Sequence, residues 1–574
     1  LPWTVRGFAD DSKFKEFNKE EKNNDNKPKY SQKYRSRDNN NGNRNLGDIV
    51  NSPIVAVGEY LATSANDGMV HIFKQSGGDK RSYNLKLSYI PGTMPRKDIE
   101  NKDSTLAKEL RAFAEKGYVG DRYGVDGGFV LRRITDDQDK QKHFFMFGAM
   151  GLGGRGAYAL DLTKAENGDP TAVSLFDVKH DNNGKNSNNS VQLGYTVGTP
   201  QIGKTHDGKY AAFLASGYAT KDIDNSENKT ALYVYDLESS GTLIKKIDVP
   251  GGKGGLSSPT LVDKDLDGIV DIAYAGDRGG NMYRFDLSGQ DPNQWSVRTI
   301  FSGNKPITSA PAISQLKDKR VVIFGTGSDL SEEDVDSKEI QHVYGIFDND
   351  TDTGTAQDGQ GKGLLEQKLE KDKDGKTLFL SDYKRSDGSG DKGWVVKLEA
   401  GQRVTVKPTV VLRTAFVTIH KYTGNDKCGA ETAILGINTA DGGKLTKKSA
   451  RPIVPADNTA VAQYSGHKKT SSGKSIPIGC MEKDNGIVCP NGYVYDKPVN
   501  VRYLDEKKTD GFSTTADGDA GGSGTFKEGK KPARNNRCFS RKGVRTLLMN
   551  DLDSLDITGP MCGMKRISWR EVFY

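Results

Sequence analysis

The chain has 574 residues, of which 34% are hydrophobic and 67 are glycine. This composition is typical of many short strands joined by polar loops, and it excludes a helix bundle or a wholly disordered chain. The 83 lysine and arginine residues nearly balance the 76 aspartate and glutamate residues, so the net charge of +7 indicates little about partners. No apolar run approaches the roughly 18 residues that a membrane-spanning helix needs. The sequence has neither RNA-stacking motifs nor an aromatic-lined basic groove, which argues against nucleic acid as a partner.

The N-terminal segment has the composition of a linker. Between residues 10 and 45, Lys, Asn, Asp, Glu and Arg dominate, and such a segment cannot bury enough apolar surface to order itself. We therefore interpret residues 1–45 as a polar linker or exposed N-terminal segment, followed by one all-β domain over residues 46–574. The first residues contain no basic region followed by an apolar core, so we expect no export signal here and a chain that begins within a longer protein.

A unit of roughly 50 residues recurs from Ile49 onward. Each copy has a Pro-containing start, a strand, a polar turn, an apolar strand ending in Gly, a Gly/Asn-rich turn and an aromatic strand. In the clearest copy the predicted strands are residues 259–262, 270–275, 282–287 and 295–301. The aromatic third strand recurs in five further copies, at residues 70–73, 157–162, 232–237, 343–348 and 434–438.

These copies, unevenly spaced because of loop insertions, predict an all-β fold, a modified β-propeller. We expect a seventh blade from residues 494–504, where the pattern is weaker. A helix is predicted in an early insertion, at residues 104–116. Ser104 is its expected N-cap, apolar residues follow at helical spacing, and Gly117 stands at its end.

The most informative motif is an acidic loop between two predicted strands of the clearest copy. Its carboxylates alternate around Gly268 with the spacing of positions 1, 3, 5 and 9 of an EF-hand-type loop. Glycine at position 6 permits the sharp turn, and the carbonyl of position 7 adds a further oxygen ligand. We therefore predict a Ca²⁺ site whose ligands are the side chains of Asp263, Asp265, Asp267 and Asp271 and the carbonyl of Ile269.

Two features separate this loop from a helix–loop–helix calcium hand. Position 12 is Tyr274, so the bidentate Glu of that motif is missing and Asp271 must close the site. The flanking segments have strand composition, so we expect the loop to be grafted into a sheet. The alternative is a hydrated acidic β-turn in which Asp and Gly serve only the turn geometry. Four closely spaced carboxylates repel one another without a cation, which favours metal binding.

Four of the five cysteines lie in residues 451–574, which we interpret as a less regular closing region of the propeller. The cysteines do not have the CxxC spacing of zinc sites. If the protein is exported, we expect Cys480 to pair with Cys489 and Cys538 with Cys562, leaving Cys428 free or linked elsewhere. The alternative is five free thiols in a reducing compartment.

The sequence contains no evident catalytic constellation. A Gly-x-Ser-x-Gly elbow is absent, and the histidines are scattered singly, with His71 expected to pack within a strand. The glycine run at residues 148–156 lacks the Lys and Ser/Thr of a phosphate-binding loop, so we interpret it as a turn. Asp222 and Asp224 have only partial ligand spacing and suit a hydrated loop. We interpret the basic stretch 527–545 as a flexible solvated loop, with an anionic surface as its alternative partner.

Three segments together resemble the PilC/PilY family of type IV pilus biogenesis and adhesion proteins of Gram-negative bacteria. They are residues 47–53, the acidic loop with residues 274–287 after it, and residues 567–571 near the end. The similarity extends over the chain from about residue 45, and the middle segment is the most specific of the three. The chain resembles the C-terminal β-propeller domain of such proteins.

This resemblance implies a modified β-propeller at the cell surface, on the pilus tip or the outer membrane. It implies a calcium-dependent role without enzymatic activity, in which the calcium-bound protein counteracts withdrawal of pili by the retraction ATPase. It also implies that the protein supports twitching motility and adhesion to host cells. The implied partners are the pilins, the outer-membrane secretin and a host-cell receptor. The family's calcium ligands correspond to the five ligands already named in the acidic loop. The Arg-Gly-Asp tripeptide of some family members is absent, so integrin binding of that kind is not implied.

The competing interpretation is an enzyme, a quinoprotein dehydrogenase-like propeller that also uses calcium and repeated aromatic strands. Such enzymes typically place a disulfide between adjacent cysteines against the cofactor, and no two cysteines of this sequence are adjacent. The sequence therefore favours the pilus protein.

Overall fold

The structure is a computed structural model that describes residues 46–78, 82–93, 96–97, 103–104, 123–167, 170–181, 190–351, 354–359, 361, 363–371, 378–385, 389–411, 413–423, 429–446, 449, 451–452, 467–469, 475–477, 481–483, 486–488, 499–503, 520–529, 544–548 and 554–558. The predicted linker 1–45 and all five cysteines lie outside these residues, so the linker and the disulfides stay predictions. The predicted helix also lies outside them beyond Ser104, which belongs to a short strand, Asp103–Ser104, paired with Arg96–Lys97.

The chain divides into two compact units. Unit 1 consists of Leu1–Thr299, Gly511–Ser513 and Ala520–Pro532, and unit 2 of Ile300–Asp510, Thr514–Asp519 and Ala533–Tyr574. Both units are built mainly from antiparallel sheets in which consecutive strands are neighbours. The fold is therefore all-β, as the repeats predict.

Four successive sheets contain the strands of unit 1 other than the pair Arg96–Lys97 and Asp103–Ser104. The first sheet has strands Val55–Val57, Tyr60–Ser64, Val70–Gln75 and Tyr83–Tyr89. The second has Phe129–Thr135, Gln141–Ala149, Gly156–Asp161 and Ser174–Lys179. The third has Gln201–Lys204, Tyr210–Ala215, Ala231–Asp236 and Leu243–Asp248. The fourth has Thr260–Val262, Ile272–Gly276 and Asn281–Asp286, and then Ser296–Ser302, in which the boundary between the units falls. Short 3-10 helices occur at Gly151–Gly153, Leu162–Asn167, Pro170–Val173 and Pro292–Gln294.

Apolar side chains fill the space between successive sheets of unit 1. Three core clusters join them in sequence, the first to the second (Ile72 with Leu131), the second to the third (Phe145 with Tyr233) and the third to the fourth (Phe213 with Phe285). Because the inner sheets are covered on both faces, a strand such as Ala231–Asp236 is buried along its whole length. Burying one large apolar side chain stabilises a fold by about 1.5–3 kcal/mol, so these faces hold the sheets together.

Unit 2 contains three further sheets of three or more strands in the described part of the chain. The fifth sheet has Ala312–Gln315, Arg320–Gly325, His342–Asp348 and Gly393–Lys397, extended by Leu364–Lys371 and Leu378–Leu380. The sixth has Thr409–Val411, Thr414–Thr423 and Gly429–Asn438. The seventh has Arg451–Pro452, Val499–Tyr503, Val544–Leu548 and Ser554–Thr558. Smaller elements are a helix, Glu332–Asp336, a strand, Ala356–Gln357, and two strand pairs, His467–Lys469 with Ser475–Pro477 and Met481–Lys483 with Gly486–Val488.

The strand predictions are confirmed. Each of the six predicted aromatic strands is the third strand of its sheet. The four strands of the clearest copy occur within two residues of their predicted bounds. Residues 499–503 also form a strand, as the weakest copy suggests, while the number of blades stays a prediction.

The interpretation of the basic stretch as a flexible loop is wrong at both of its ends. Lys527 belongs to strand Gly524–Lys527, which pairs in parallel with Phe129–Thr135 at the edge of the second sheet. Arg545 belongs to Val544–Leu548, and residues 530–543 lie outside the described residues. The first pairing joins distant segments of the chain, and a hydrogen bond beside it, from Leu131 to Ser523, spans 392 positions. Pairing between such distant segments produces no pattern in the local sequence.

Candidate calcium site

The acidic loop lies where the sequence predicts it, between two antiparallel strands of the fourth sheet. Val262 at the end of one strand pairs with Ile272 at the start of the next. The backbone N–H of Asp271 donates to the carbonyl of Val262 at 2.9 Å. This pairing ties the two ends of the loop together, so residues 263–271 must turn back within a short span.

Two residues in the left-handed region make this turn. Gly268 has φ +90° and Leu266 has φ +62°. Glycine adopts such a conformation freely, whereas it costs a side-chain-bearing residue such as leucine roughly 1–2 kcal/mol. A Cβ atom at position 268 would also lie 2.9 Å from Cζ of Phe526. Glycine is therefore required at this position both for its backbone conformation and for its lack of a side chain.

Three of the four predicted carboxylates converge. Oxygens from Asp263, Asp265 and Asp267 lie within 4.8 Å of one another. Asp263 is buried and accepts hydrogen bonds from the backbone N–H of Gly268 at 2.7 Å and of Asp267 at 3.2 Å. Asp267 in turn accepts from the N–H of Ile269 at 2.8 Å. The backbone of the turn thus holds this carboxylate cluster (Asp263, Asp265 and Asp267) in place.

The charges of the carboxylate cluster fit a cation. Burial raises the pKa of the Asp263 carboxyl to about 7, and the neighbouring charges of Asp267 and Asp271 add to this effect. Burial by itself would raise the pKa of the Asp265 carboxyl. Hydrogen bonds with Asp263 and Asp267 outweigh this effect and lower the pKa below its usual value. A divalent cation would offset the repulsion between these groups, and carboxylate oxygens are ligands that Ca²⁺ prefers. The donor set is therefore suited to calcium.

Asp271 has a different environment from the other three carboxylates. Its Oδ1 lies 2.7 Å from Nε2 of His206, and its Oδ2 accepts from the backbone N–H of Lys264 at 2.8 Å. Burial raises the pKa of Asp271, while the hydrogen bond from His206 opposes this rise. Position 9 of an EF-hand often reaches the ion through a water molecule, and the placement of Asp271 suits such a role. Its ligation of calcium stays a prediction.

Ile269, whose carbonyl is the fifth predicted ligand, lies beside the third sheet. It forms a parallel bridge with Lys204, and the N–H of Val270 donates to the Lys204 carbonyl at 2.8 Å. Because the N–H of Ile269 binds Asp267, the backbone here is held from both sides. The role of the Ile269 carbonyl as a ligand stays a prediction.

Sequence reasoning missed His206. This residue lies in the hairpin loop between Gln201–Lys204 and Tyr210–Ala215. The Asp-Gly pair at positions 207 and 208 predicts a turn between two strands. No local feature indicates that His206 contacts a carboxylate 65 positions later.

The other candidates from the sequence have structural roles. His71 is buried, with Nε2 2.9 Å from Asp67 and Nδ1 2.8 Å from Ser88, as expected for a packed histidine. The glycine run contains the turn Gly151–Gly153 between two strands, also as predicted. Within the described residues, the carboxylate cluster is the single group of three or more potential metal ligands at this spacing. In the same part of the chain, no helix has the length and apolar character needed to cross a membrane.

Residues 46–384 match the family model described as the PilY1 beta-propeller domain. Type IV pilus biogenesis factor PilY1 of Pseudomonas aeruginosa strain UCBPP-PA14 is 32% identical over 358 residues, which cover 53% of this chain and 29% of that protein. A type IV pilus biogenesis factor PilY1 homolog of Xylella fastidiosa strain Temecula1 is 28% identical over 319 residues, which cover 51% of this chain and 19% of that protein. The chain thus spans less than a third of the length of these curated relatives.

The crystal structure of the Pseudomonas aeruginosa PilY1 C-terminal domain matches with a TM-score of 0.51 and 22% identity, covering 72% of this chain and 90% of that chain. This likeness bears on the fold alone and agrees with a β-propeller. The matched family and its relatives are pilus biogenesis factors rather than enzymes, so the dehydrogenase alternative is rejected. Because the family model covers more than half of the sequence, the chain belongs to the PilY1 β-propeller domain family.

Proposed function

We propose that this chain is the calcium-binding propeller of a type IV pilus biogenesis factor at the cell surface or pilus tip of a Gram-negative bacterium. In this role it counteracts pilus retraction, supports twitching motility and contributes to adhesion to host cells. Its partners are the pilins, the outer-membrane secretin and a receptor on the host cell. Membership of the PilY1 family and relatives named as type IV pilus biogenesis factors support this proposal.

The convergence of the carboxylate cluster supports the calcium part of the proposal. Backbone N–H groups of the turn bind all three carboxylates of the cluster, as they would in a simple acidic turn. Turn geometry alone does not require that all three place oxygens within 4.8 Å of one another. Like charges at such distances destabilise a loop unless a cation offsets them. In the hydrated-turn alternative, protonation of Asp263, whose pKa burial raises to about 7, has to relieve that repulsion.

Several residues of the loop would contribute oxygen ligands to the ion. Asp263, Asp265 and Asp267 would provide side-chain oxygens, with Asp271 and the Ile269 carbonyl as further ligands. Bound calcium supplies two positive charges to a group of negative ones. His206 holds Asp271, and the paired strand ends hold the loop, so a change in loop shape would alter the surface around it. We infer that the pilus machinery responds to that surface.

The experiment compares Asp263→Asn with Asp224→Asn in bacteria that express the full-length protein. Asp224 is an exposed acidic residue of another loop, 3.2 Å from Lys253, and it serves as a matched control. We expect normal export of both variants but fewer surface pili in Asp263→Asn alone. Removal of the retraction motor should restore these pili, because the loss of calcium acts through retraction.

Normal piliation of Asp263→Asn would overturn the calcium role. Low piliation that persists without the retraction motor would contradict the antagonism with retraction and indicate a defect in assembly. Attachment of the same strains to host cells, expressed per pilus, tests the adhesive role separately from pilus number.

A further inference from the structure

A segment from near the C-terminus completes the second sheet. Residues 520–529, the strap, belong to unit 1. The strand Gly524–Lys527 within the strap pairs in parallel with Phe129–Thr135, placing Phe526 opposite Ile134. The N–H of Glu528 donates to the carbonyl of Thr135 at 2.9 Å. The strap therefore docks by regular strand pairing.

Arg132 holds the strap in place through hydrogen bonds and a contact with an aromatic ring. Its side chain is almost completely buried and donates to the carbonyls of Ala520 at 3.2 Å and Gly522 at 3.3 Å. The guanidinium carbon also lies 5.6 Å from the centroid of the Phe526 ring. Hydrogen bonds from a buried cation are among the stronger ones in proteins, so these contacts define one docked position of the strap.

The docked strap contacts the acidic loop at two points. At the tip, Phe526 lies over Gly268 so closely that a Cβ there would be 2.9 Å from Cζ and 3.1 Å from Cε2 of the ring. At the strand that enters the loop, the N–H of Ala520 donates to the carbonyl of Leu261 at 2.9 Å. Phe526 is 8% exposed and belongs to the core cluster shared by the second and third sheets. One aromatic side chain thus joins that core to the turn of the loop.

The hairpin that carries His206 makes a second connection between the loop and the strap. His206 contacts Asp271, and Tyr210 at the other end of the same hairpin binds the carboxylate of Glu528 through its hydroxyl. The rings of Tyr210 and Phe526 are 6.4 Å apart in an edge-to-face arrangement. A displacement of the acidic loop would therefore disturb the strap in two ways, directly at Phe526 and indirectly through this hairpin.

We propose that the strap closes over the acidic loop when calcium is bound, so that calcium binding and strap docking promote each other. This inference rests on the proposed function, because it takes the acidic loop as the calcium site. Phe526 contacts Gly268, the residue at the centre of the ligand spacing, and its docked position therefore requires one conformation of the turn. Calcium ligation by residues at positions 1 to 9 of the loop would hold the turn in that same conformation.

The coupling must be reciprocal. If calcium favours the docked strap by a given factor, the docked strap raises calcium affinity by the same factor. Couplings between protein sites typically lie between about fivefold and 150-fold, and we expect about tenfold here because one aromatic contact carries most of the connection. Loss of Phe526 should thus weaken calcium binding although this side chain offers no ligand atom.

The test measures amide hydrogen exchange in residues 521–529 of the complete chain, in calcium chloride and in EDTA, together with calcium titration by calorimetry. Calcium should slow exchange of the strap about tenfold in the wild type. In Phe526→Ala the calcium dissociation constant should rise about tenfold, and calcium should no longer slow exchange of the strap. Phe526→Leu should retain part of both effects because it keeps an apolar side chain over Gly268.

Lys527→Ala is the matched control. Lys527 is the next residue of the same strand, and its side chain extends away to Asp139, 2.7 Å from its ammonium nitrogen. This variant should keep wild-type affinity and calcium-dependent exchange. If the wild type binds calcium but the strap exchanges at the same rate in EDTA, the inference is overturned and the proposed site stands. If the wild type binds no calcium, both are overturned. The wild-type comparison decides the matter even if Phe526→Ala fails to fold.

Discussion

Asp263 and Asp271 lie at opposite ends of the acidic loop, and their surroundings differ. Asp263 belongs to the carboxylate cluster, whereas Asp271 already contacts His206 and a backbone N–H. A carboxylate repelled by neighbouring carboxylates gains more from a cation than one whose side-chain partner is a histidine. The two residues should therefore contribute unequally to calcium affinity.

Calorimetric titration with calcium should measure this difference. We expect Asp263→Asn to weaken binding about 100-fold and Asp271→Ala about tenfold, since a charged contact contributes about 1.5–3 kcal/mol and a tenfold change corresponds to about 1.4 kcal/mol. Asp224→Asn should bind like the wild type. A larger loss for Asp271→Ala than for Asp263→Asn would show that Asp271 is a principal ligand.

Asp126 is a buried carboxylate outside the acidic loop. It accepts from the side-chain amide of Asn51 at 2.8 Å, from the backbone N–H of Asn51 at 3.3 Å and from that of Leu152 at 3.4 Å. Burial raises its pKa to about 6 despite these hydrogen bonds. It joins the segment before the first sheet to a turn of the second.

This raised pKa predicts how stability changes with pH. Between about pH 4 and 6 the folded protein binds more protons at Asp126 than the unfolded chain, so the contribution of this group to the free energy of unfolding falls as pH rises. The full loss is about 2–3 kcal/mol, from about 1.4 kcal/mol for each unit of pKa. Urea unfolding of wild type and Asp126→Asn at pH 4 and pH 7 measures it. The wild type should lose this amount relative to the variant, and a constant difference would contradict the prediction.

At the scale of elements, close packing within a sheet depends on glycine at one position of the fifth sheet. Gly345 pairs with Trp394 across two strands, and the indole of Trp394 lies over it. A Cβ at position 345 would be 2.1 Å from Cε2 of that ring. Trp394 is fully buried, and its Nε1–H donates to the carbonyl of Thr439 at 2.8 Å, so the ring has little freedom to move away.

Gly345→Ala should therefore destabilise the protein by about 1–3 kcal/mol, the usual cost of extra volume in a packed core. Chemical denaturation monitored by tryptophan fluorescence measures the change. The control is Gly78→Ala, where an added Cβ has no neighbour within 4 Å and the effect should stay within about 0.5 kcal/mol. Equal stability of the two variants would mean that the indole moves at little cost.

For the whole molecule, a ligand that binds only the folded state stabilises it by mass action. A bound cation at the acidic loop adds to the core clusters that hold successive sheets together. The gain is about 2.7 kcal/mol when free calcium exceeds the dissociation constant 100-fold. Calcium should therefore raise the temperature at which the protein unfolds.

Thermal unfolding in calcium and in EDTA measures this linkage. The wild type should unfold at a higher temperature in calcium, and Asp263→Asn should gain much less because its affinity for calcium is lower. An equal gain in the wild type and in Asp263→Asn would place the stabilising site elsewhere in the chain.

The sequence by itself determined the features that depend on neighbouring residues. The third strands at residues 70–73 and 282–287, for example, follow from runs of aromatic and apolar residues bounded by turns, and both form as predicted. The spacing around Gly268 likewise predicted a turn between two strands, and three of the four carboxylates that it assigned to the site lie close together. Covalent geometry and periodicity set these features within short stretches of chain.

Only the tertiary structure decided which distant segments meet at the site. His206 reaches Asp271 across 65 positions, and Phe526 covers Gly268 although the two residues are far apart in the sequence. The strap pairs with Phe129–Thr135, although the sequence suggested a loop from Lys527 onward. Such contacts depend on which sheet faces bury apolar surface against each other, and that choice minimises the free energy of the whole chain rather than of any local segment. The ligand spacing is therefore local, whereas the residues that hold the loop in shape come from other sheets.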